Sequence, residues 1–143
     1  MTSPSDIAAL AADLRALVGR LKRRLREQAD THDLKPSQVA ALLRLEREGA
    51  ATVSALARAE GVRPQSMGAT IAGLELIGLV EGTPDPDDGR QTLMSLTWTC
   101  RDWIAQGRAA RQDWLARQIE RLTPQEQAQL TAGAAILNRI AES

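Results

Sequence analysis

Residues 52–81 read TVSALARAEGVRPQSMGATIAGLELIGLVE, and this stretch contains several helix start and stop signals. Thr52 can cap a short helix that Gly61 ends, because glycine readily adopts the left-handed conformation that closes many helices. Pro64 then suits the first turn of a second helix, which Gly78 would stop. The inward stripe of that second helix recurs at helical spacing: Met67, Ile71, Leu74 and Ile77. The stretch therefore predicts two helices joined by a tight turn.

The period of the sequence changes immediately after this pair of helices. The segments LVEGT (79–83) and QTLMSLT (91–97) are short, contain β-branched residues and flank a turn rich in Pro, Asp and Gly. They predict a β-hairpin. Two strands alone do not make a stable sheet, so the hairpin must pack on the helices.

Two further helices are predicted on the N-terminal side. Pro36 begins a helix that runs to Gly49. An earlier and longer helix has apolar residues at spacings of three and four and several arginines on its other face. Its apolar stripe comprises Ile7, Leu10, Ala11, Leu14, Leu17, Val18, Leu21 and Leu25.

Two helices are also predicted on the C-terminal side. Either Thr97 or Thr99 can cap a helix that runs to about Arg121. If Thr99 is the cap, Asp102 three residues later gives a weak capping-box pattern. The sequence TPQE at 123–126 opens the last helix, with threonine as N-cap, proline at the first helical position and glutamate three residues after the cap. The predicted fold class is therefore mainly α with a small β-hairpin. A helix-turn-helix followed by a hairpin is the winged helix-turn-helix arrangement.

Composition excludes several classes of function. Lys plus Arg and Asp plus Glu each number 18, so the net charge is zero and any contact with a polyanion must be local. The single cysteine, Cys100, excludes a disulfide framework, and the absence of a secretory segment or long apolar run favours a cytoplasmic protein with no membrane partner. With no Phe or Tyr, a stacking platform for single-stranded nucleic acid is disfavoured.

No pattern of catalytic or metal-binding residues is present. The single histidine and the single cysteine lie far apart in the sequence, and no glycine-rich phosphate loop occurs. The acidic loop at 85–90 reads DPDDGR, and a calcium loop of the EF-hand type fails there because Gly89 and Arg90 stand at its fifth and sixth positions. We expect no catalysis, no metal and no cofactor.

Four segments together resemble the MarR family of bacterial transcription regulators: LKPSQVAAL (34–42), the stretch 52–81, DPDDGR (85–90) and LMSLT (93–97). The resemblance covers most of the chain, and the D-P-x-D-x-R form of the hairpin motif is its most specific part. It implies a homodimer that presents two winged domains to double-stranded DNA carrying a pseudo-palindromic operator.

The same resemblance implies an organisation of the chain. Residues 1–143 would form a single MarR-type domain, with the winged helix-turn-helix at about 36–97 and dimerisation helices at about 5–30 and 98–143. The long striped helices offer more apolar surface than the small winged core could cover, as a two-fold interface requires. The alternative is that these helices pack only on their own chain.

The segment from about Arg63 to Ile77 would be the recognition helix. Its outward residues are small and nearly uncharged: Gln65, Ser66, Gly68, Ala69, Ala72 and Gly73. Gln65 suits a bidentate pair with adenine, Ser66 can reach a base or a phosphate, and Ala69 could contact a thymine methyl group. Gly68 and Gly73 would let the helix lie deep in the major groove. The alternative is that these small residues reflect sequence drift at solvent-exposed positions.

Other residues near this helix could also contact DNA. Arg63, where relatives commonly have serine, can pair with phosphate or guanine, and Thr70 lies at the boundary of the two helix faces. Thr52 and Ser54 could donate hydrogen bonds to phosphates from the start of the preceding helix, or either could be only a cap. Relatives often carry a basic residue at the place of Ala69 or Gly73, so this helix should make few phosphate contacts.

The hairpin loop corresponds to the wing of the family. Pro84 and Pro86 stiffen it, and Arg90 near its tip could enter a narrow, A·T-rich minor groove. Matching the family's loop puts Asp88, and secondarily Asp87, in a charge-assisted pair that fixes the Arg90 guanidinium before DNA arrives. The alternative is a solvated acidic turn.

The resemblance also implies regulation. Members of the family commonly release DNA when a small, often aromatic or phenolic anion binds, and some sense oxidants through cysteine. Trp98, Trp103 and His32 are candidate ligand contacts, with a structural role as the alternative. Cys100 lies near a helix N-terminus, which would lower the pKa of its thiol; inert packing is the alternative.

Two functions therefore stay open. The first is a sequence-specific DNA-binding transcription regulator, a homodimeric repressor released by a small-molecule ligand. The second, favoured by the neutral net charge and the weakly basic recognition helix, is a dimeric interaction protein that kept the winged scaffold but has weak or lost DNA binding.

Overall fold

The computed structural model describes residues 1–143 and confirms the predicted fold class, which is mainly helical with one antiparallel hairpin. None of the helices combines the length and the apolar character needed to cross a bilayer. The elements in chain order are α1 (Pro4–Arg26), α2 (Pro36–Glu48), α3 (Val53–Glu60), α4 (Pro64–Leu76), β1 (Val80–Pro84), β2 (Thr92–Leu96), α5 (Trp98–Glu120) and α6 (Pro124–Ala141).

The chain divides into two compact units. Unit 1 comprises residues 1–30 and 107–143, and unit 2 comprises residues 31–106. Unit 2 contains α2, α3, α4, the hairpin and the start of α5, whereas unit 1 contains α1, the rest of α5 and α6.

Threonine side chains cap the helices where the sequence predicts caps. The Thr52 Oγ1 accepts the Ala55 N–H at 3.1 Å. The Thr123 Oγ1 accepts the Glu126 N–H at 3.1 Å, and the Glu126 carboxylate accepts the Thr123 N–H at 2.8 Å, which completes the capping box.

Thr97, and not Thr99, caps α5. Its Oγ1 accepts the Cys100 N–H at 3.1 Å and donates to the Gly78 carbonyl at 2.7 Å. The single Thr97 hydroxyl thus starts α5 and ties that start to the turn after α4.

The turn between α3 and α4 comprises three residues. Gly61 closes α3 in the left-handed conformation, with φ 66° and ψ 33°, and the Val62 N–H donates to the Ala57 carbonyl at 3.0 Å. This is the Schellman arrangement, for which glycine is preferred because it has no Cβ. Arg63 is the extended N-cap of α4, and Pro64 begins the helix.

The hairpin pairs with a third segment. Within the hairpin, Val80 lies opposite Leu96 and Gly82 lies opposite Met94. Met94 also exchanges two backbone hydrogen bonds with Ala51, at 2.8 and 3.0 Å, immediately before α3. A Cβ at Gly82 would lie 2.7 Å from the Thr92 Cγ2, so only glycine fits there without a shift. The hairpin is therefore fixed against the residues that lead into the helix-turn-helix.

Every fully buried side chain of the protein lies in unit 2. The core set is Ala41, Leu42, Leu45, Leu56, Ala57, Met67, Ile71, Leu74, Leu79, Val80, Met94, Leu96 and Cys100.

The predicted inward stripe of α4 is confirmed for Met67, Ile71 and Leu74, but it is wrong for Ile77, which is exposed. The helix ends at Leu76, and Gly78 turns the chain with φ 78°. Leu79 enters the core instead.

Unit 1 has no buried residue. Neither α1 nor α6 contains one, and the only buried residue of α5, Cys100, belongs to unit 2. Gln127 links α6 to the end of α5, because its amide donates to the carbonyl of Ile119 at 3.1 Å and to that of Leu122 at 3.3 Å. The apolar residues left exposed in α1 and α6 include Ile7, Leu10, Leu17, Val18, Leu21, Leu130, Ile136, Leu137 and Ile140.

Two leucines of α4 provide a matched test of this packing. Leu74 is 0% exposed and Leu76 is 88% exposed. We expect Leu74→Ala to lower the free energy of unfolding by about 2–5 kcal/mol, because it removes buried methyl groups and leaves a cavity. Leu76→Ala should change it by no more than about 0.5 kcal/mol. Urea unfolding at one fixed protein concentration measures both, and equal losses would contradict the assigned faces.

Candidate nucleic-acid interface

One face of α4 is exposed and uncharged. Gln65, Ala69, Ala72 and Leu76 are all exposed, and their spacing places them on a single face of the helix. No charged residue occurs in α4 before Glu75. This face, called the outward strip below, offers one amide, two alanine methyl groups and the Leu76 side chain to a partner.

A second face of α4 lies against α2. A Cβ at Gly73 would lie 3.1 Å from the Gln38 Nε2, so the prediction that Gly73 points outward is wrong. Ser66 is exposed but lines a cavity of about 340 Å³ together with Ser37 of α2. The half-buried Thr70 lines the same cavity, and its hydroxyl donates to the Ser66 carbonyl at 3.1 Å. Thr70 is thereby occupied within its own helix.

The opposite flank of α4 faces the start of α3. Gly68 is half-buried there, beside Val53 and Met94, and a Cβ at Gly68 would meet nothing within 4 Å. Packing does not require glycine at this position. In α3 itself, Ser54 is exposed in the first turn, whereas Thr52 is half-buried and serves as the cap.

The wing places Arg90 in an exposed position but does not hold its guanidinium as predicted. The Asp88 Oδ1 accepts the backbone N–H of Arg90 at 3.1 Å, and the Asp85 Oδ1 accepts the N–H of Asp87 at 2.9 Å. No ion pair joins the Arg90 guanidinium to Asp88 or Asp87, and the Asp88 carboxylate binds the backbone instead of the predicted guanidinium. A short carboxylate two residues before an N–H closes an Asx-turn, and this local bond is the one that forms.

The wing loop is fixed through its backbone. The Asp85 N–H donates to the Gln91 carbonyl at 2.9 Å, and the Gln91 N–H donates to the Asp88 carbonyl at 3.0 Å. These bonds hold the position from which the Arg90 side chain leaves the loop.

Two of the three candidate ligand contacts lie together. The rings of His32 and Trp103 are 4.8 Å apart and meet edge to face at 63°. His32 and Asp33 have φ of 52° and 54°, a conformation uncommon for residues other than glycine. Trp103 packs against the core of unit 2, whereas Trp98 is 77% exposed at the start of α5.

Cys100 is a free thiol that is fully buried in the core of unit 2. Its burial raises the pKa of the thiol to about 11, and Glu46 adds to the rise while Arg101 opposes it. The prediction of a lowered pKa is wrong because loss of hydration on burial is the largest influence on the thiol.

Sequence reasoning missed an ion-pair cluster between α2 and α3. The guanidinium of Arg44 binds Glu48 through Nη1 and Glu60 through Nη2, both at 2.9 Å. The i,i+4 spacing of Arg44 and Glu48 signals the first pair, but no local signal reveals a partner 16 residues away.

Comparison with known proteins identifies relatives along nearly the whole chain. The sequence pattern of the MarR family matches residues 32–91. An uncharacterized HTH-type transcriptional regulator of Mycobacterium bovis is 41% identical over 130 residues, which cover 91% of each chain.

Solved structures show the same fold. A putative transcriptional regulator from Pseudomonas aeruginosa is 35% identical, with a TM-score of 0.77 and 99% of each chain covered. A variant of S. aureus MepR bound to an oligodeoxyribonucleotide is 16% identical, with a TM-score of 0.74, and covers 92% of this chain and 97% of its own. At that identity, the second likeness concerns the fold alone.

The burial of Cys100 gives a test of thiol chemistry. The unperturbed thiol has a pKa of 9.0, against about 11 in the fold. We expect iodoacetamide at pH 8 to alkylate the folded protein at least about a hundredfold more slowly than the urea-unfolded protein, because the thiolate is the reacting form. Because folding raises this pKa, the contribution of the neutral thiol to stability is complete below pH 9.0 and is lost as the pH rises towards 11. Labelling of the folded chain at the rate of the unfolded chain would contradict the burial.

Proposed function

This chain belongs to the MarR family of transcription regulators. We propose that it is a homodimeric repressor that binds double-stranded DNA in a sequence-specific manner and dissociates from it when a small-molecule ligand binds. The observation that carries the proposal is the outward strip of α4, which is exposed opposite the buried stripe of the same helix. An exposed helix in a winged helix-turn-helix is the element that enters the major groove.

The residues of the strip define what α4 would read. The amide of Gln65 can accept from and donate to one adenine edge, and the methyl group of Ala69 can contact a thymine methyl. Arg63, exposed at the N-cap of α4, would bind phosphate or guanine. Ser66 and Thr70 face α2 more than the groove, and Gly68 lies on the other flank, so we assign them lesser roles.

The wing would supply the second contact. Arg90 is exposed, and the Asp88 carboxylate holds its backbone N–H. In this role Asp88 positions the loop while the guanidinium stays mobile until it enters a narrow minor groove. Thr52 and Ser54, at the start of α3, would contribute hydrogen bonds to backbone phosphate.

The surface of α1 and α6 supports a homodimer. Unit 1 has no buried residue, yet both helices expose rows of Leu, Ile and Val. An exposed apolar surface of this extent marks an interface, and a second copy of the chain supplies a self-complementary partner for helices from both ends. Two recognition helices related by a two-fold axis would read half-sites about ten base pairs apart.

Release by a ligand would involve three residues of unit 2, which are His32, Trp98 and Trp103. The edge-to-face pair of His32 and Trp103 offers an aromatic contact and an imidazole to a small aromatic anion. Trp98, exposed at the start of the same helix as Trp103, could add a second indole surface.

The neutral outward strip favours one alternative function, a dimeric interaction protein with weak or lost DNA binding. Selection of bound duplexes from a random library separates the two. A regulator should enrich an inverted repeat, whereas an interaction protein should enrich no sequence.

The contribution of the wing can be measured on the selected duplex. We expect Arg90→Ala to weaken binding and to reduce the slope of log K against log salt by about one, because one phosphate-region cation is lost. Arg47→Ala, which removes an exposed arginine from the end of α2, is the matched control and should leave the slope unchanged. A slope unaffected by Arg90→Ala would show that the wing does not contact DNA.

The dimer can be tested in α1. Leu10→Glu places a charge on the exposed apolar face, and we expect it to shift the protein from dimer to monomer in sedimentation velocity, since a buried unpaired charge opposes association. Arg23→Glu changes charge on the other face and should leave the dimer intact. A wild-type protein that sediments as a monomer at micromolar concentration would contradict the proposal.

A further inference from the structure

Arg44 joins two helices of unit 2 through a largely enclosed ion pair. Its Nη2 lies 2.9 Å from the Glu60 Oε2 and also approaches the Ala59 carbonyl at 3.4 Å. The side chains of Arg44 and Glu60 are only 20% and 21% exposed. The same guanidinium binds Glu48, which is 52% exposed and lies in α2 like Arg44 itself.

The partner of Arg44 stands at the point where α3 turns into α4. Glu60 is the last residue of α3, and Ala59 carries one of the terminal carbonyls that no intrahelical N–H satisfies. The three residues of the turn follow at once, and the third, Arg63, is the N-cap of α4. The direction in which α3 ends therefore sets where α4 begins.

We propose that Arg44 and Glu60 are positioning residues for DNA recognition, which fix the end of α3 and through it the orientation of α4. Arg44 would not contact DNA, because both of its amino groups are engaged within the protein, and backbone phosphate would repel the Glu60 carboxylate. The inference rests on the proposed function of α4. It adds that two residues that do not contact DNA affect the specificity of binding.

A purely stabilising role explains this pair less well. The Arg44 Nε is buried and has no hydrogen-bond partner, so the cluster carries an unsatisfied donor. Replacing such pairs by uncharged residues of similar volume is often neutral or stabilising. What the pair supplies is geometry: the planar guanidinium donates in fixed directions, here to two helices at once. The Glu60 hydrogen bond, followed by that of Glu48, also raises the pKa of Arg44.

The test removes both charges together. The double variant Arg44→Met with Glu60→Gln keeps side chains of similar volume and leaves only the half-exposed Glu48 without its partner. Because water solvates that carboxylate, we expect the thermal midpoint to match that of the wild type. Glu48→Gln is the matched control, because it removes one ion pair from the same guanidinium without touching α3. Arg44→Lys serves as a second variant, since one ammonium cannot reproduce the two-directional fork.

The readout is the affinity for the selected duplex relative to a scrambled duplex. We expect the double variant to bind the selected duplex about tenfold more weakly and the scrambled duplex within about twofold of wild type, since misorientation disturbs base contacts more than phosphate contacts. The affinity ratio of Arg44→Lys should fall between those of the wild type and the double variant, and the ratio of Glu48→Gln should match that of the wild type. In a Gln65→Ala background, the loss caused by the double variant should shrink, because both changes act through the same contact.

Two results would overturn the inference. The first is an unchanged affinity ratio in both Arg44 variants, including a parallel loss on both duplexes, and the second is an equal effect of Glu48→Gln. Failure of the proposed function gives a different result. There, the wild-type protein itself would not distinguish the selected from the scrambled duplex.

Discussion

The burial of one face of α4 determines what the rest of the protein can do. Met67, Ile71 and Leu74 lie in the core of unit 2, so the opposite face with Gln65, Ala69 and Ala72 must be exposed. A helix cannot rotate without lifting three apolar side chains out of that core, which would cost several kcal/mol. The rigidity of the reading surface is thus a consequence of packing and needs no polar contact on its outer side.

The sequence predicts the fold well because the decisive signals are local. Proline, threonine and glycine at the ends of helices act within one turn, and Thr123, Pro64 and Gly61 all serve as expected. Predictions that depend on three dimensions were less reliable. Gly73 meets Gln38 of another helix, and Asp88 binds the backbone in preference to a guanidinium. The burial of Cys100 is also set by core neighbours from distant segments of the chain.

The outward strip of α4 lacks charged side chains although a quarter of the residues of the protein are charged. The net charge is zero and the outward strip carries no charged side chain, so sequence readout would rest on one amide and on methyl contacts, with Arg63 and Arg90 at the margins. Such a surface would make few phosphate contacts and would discriminate DNA through shape complementarity more than through electrostatic attraction. Recognition would therefore depend strongly on the orientation of α4. The Gly61 turn, the Arg44 cluster and the buried stripe of α4 all help to fix that orientation.

Tethered cleavage tests whether α4 occupies the major groove of DNA. Leu76→Cys places a thiol at the end of the outward strip, and the burial of Cys100 leaves this as the reactive site for an iron chelate. If α4 occupies the major groove of each half-site, cleavage of the selected duplex should fall in two clusters related by the two-fold axis of the repeat. Cleavage spread evenly along a duplex that the labelled protein still binds would contradict the placement of α4 in the major groove.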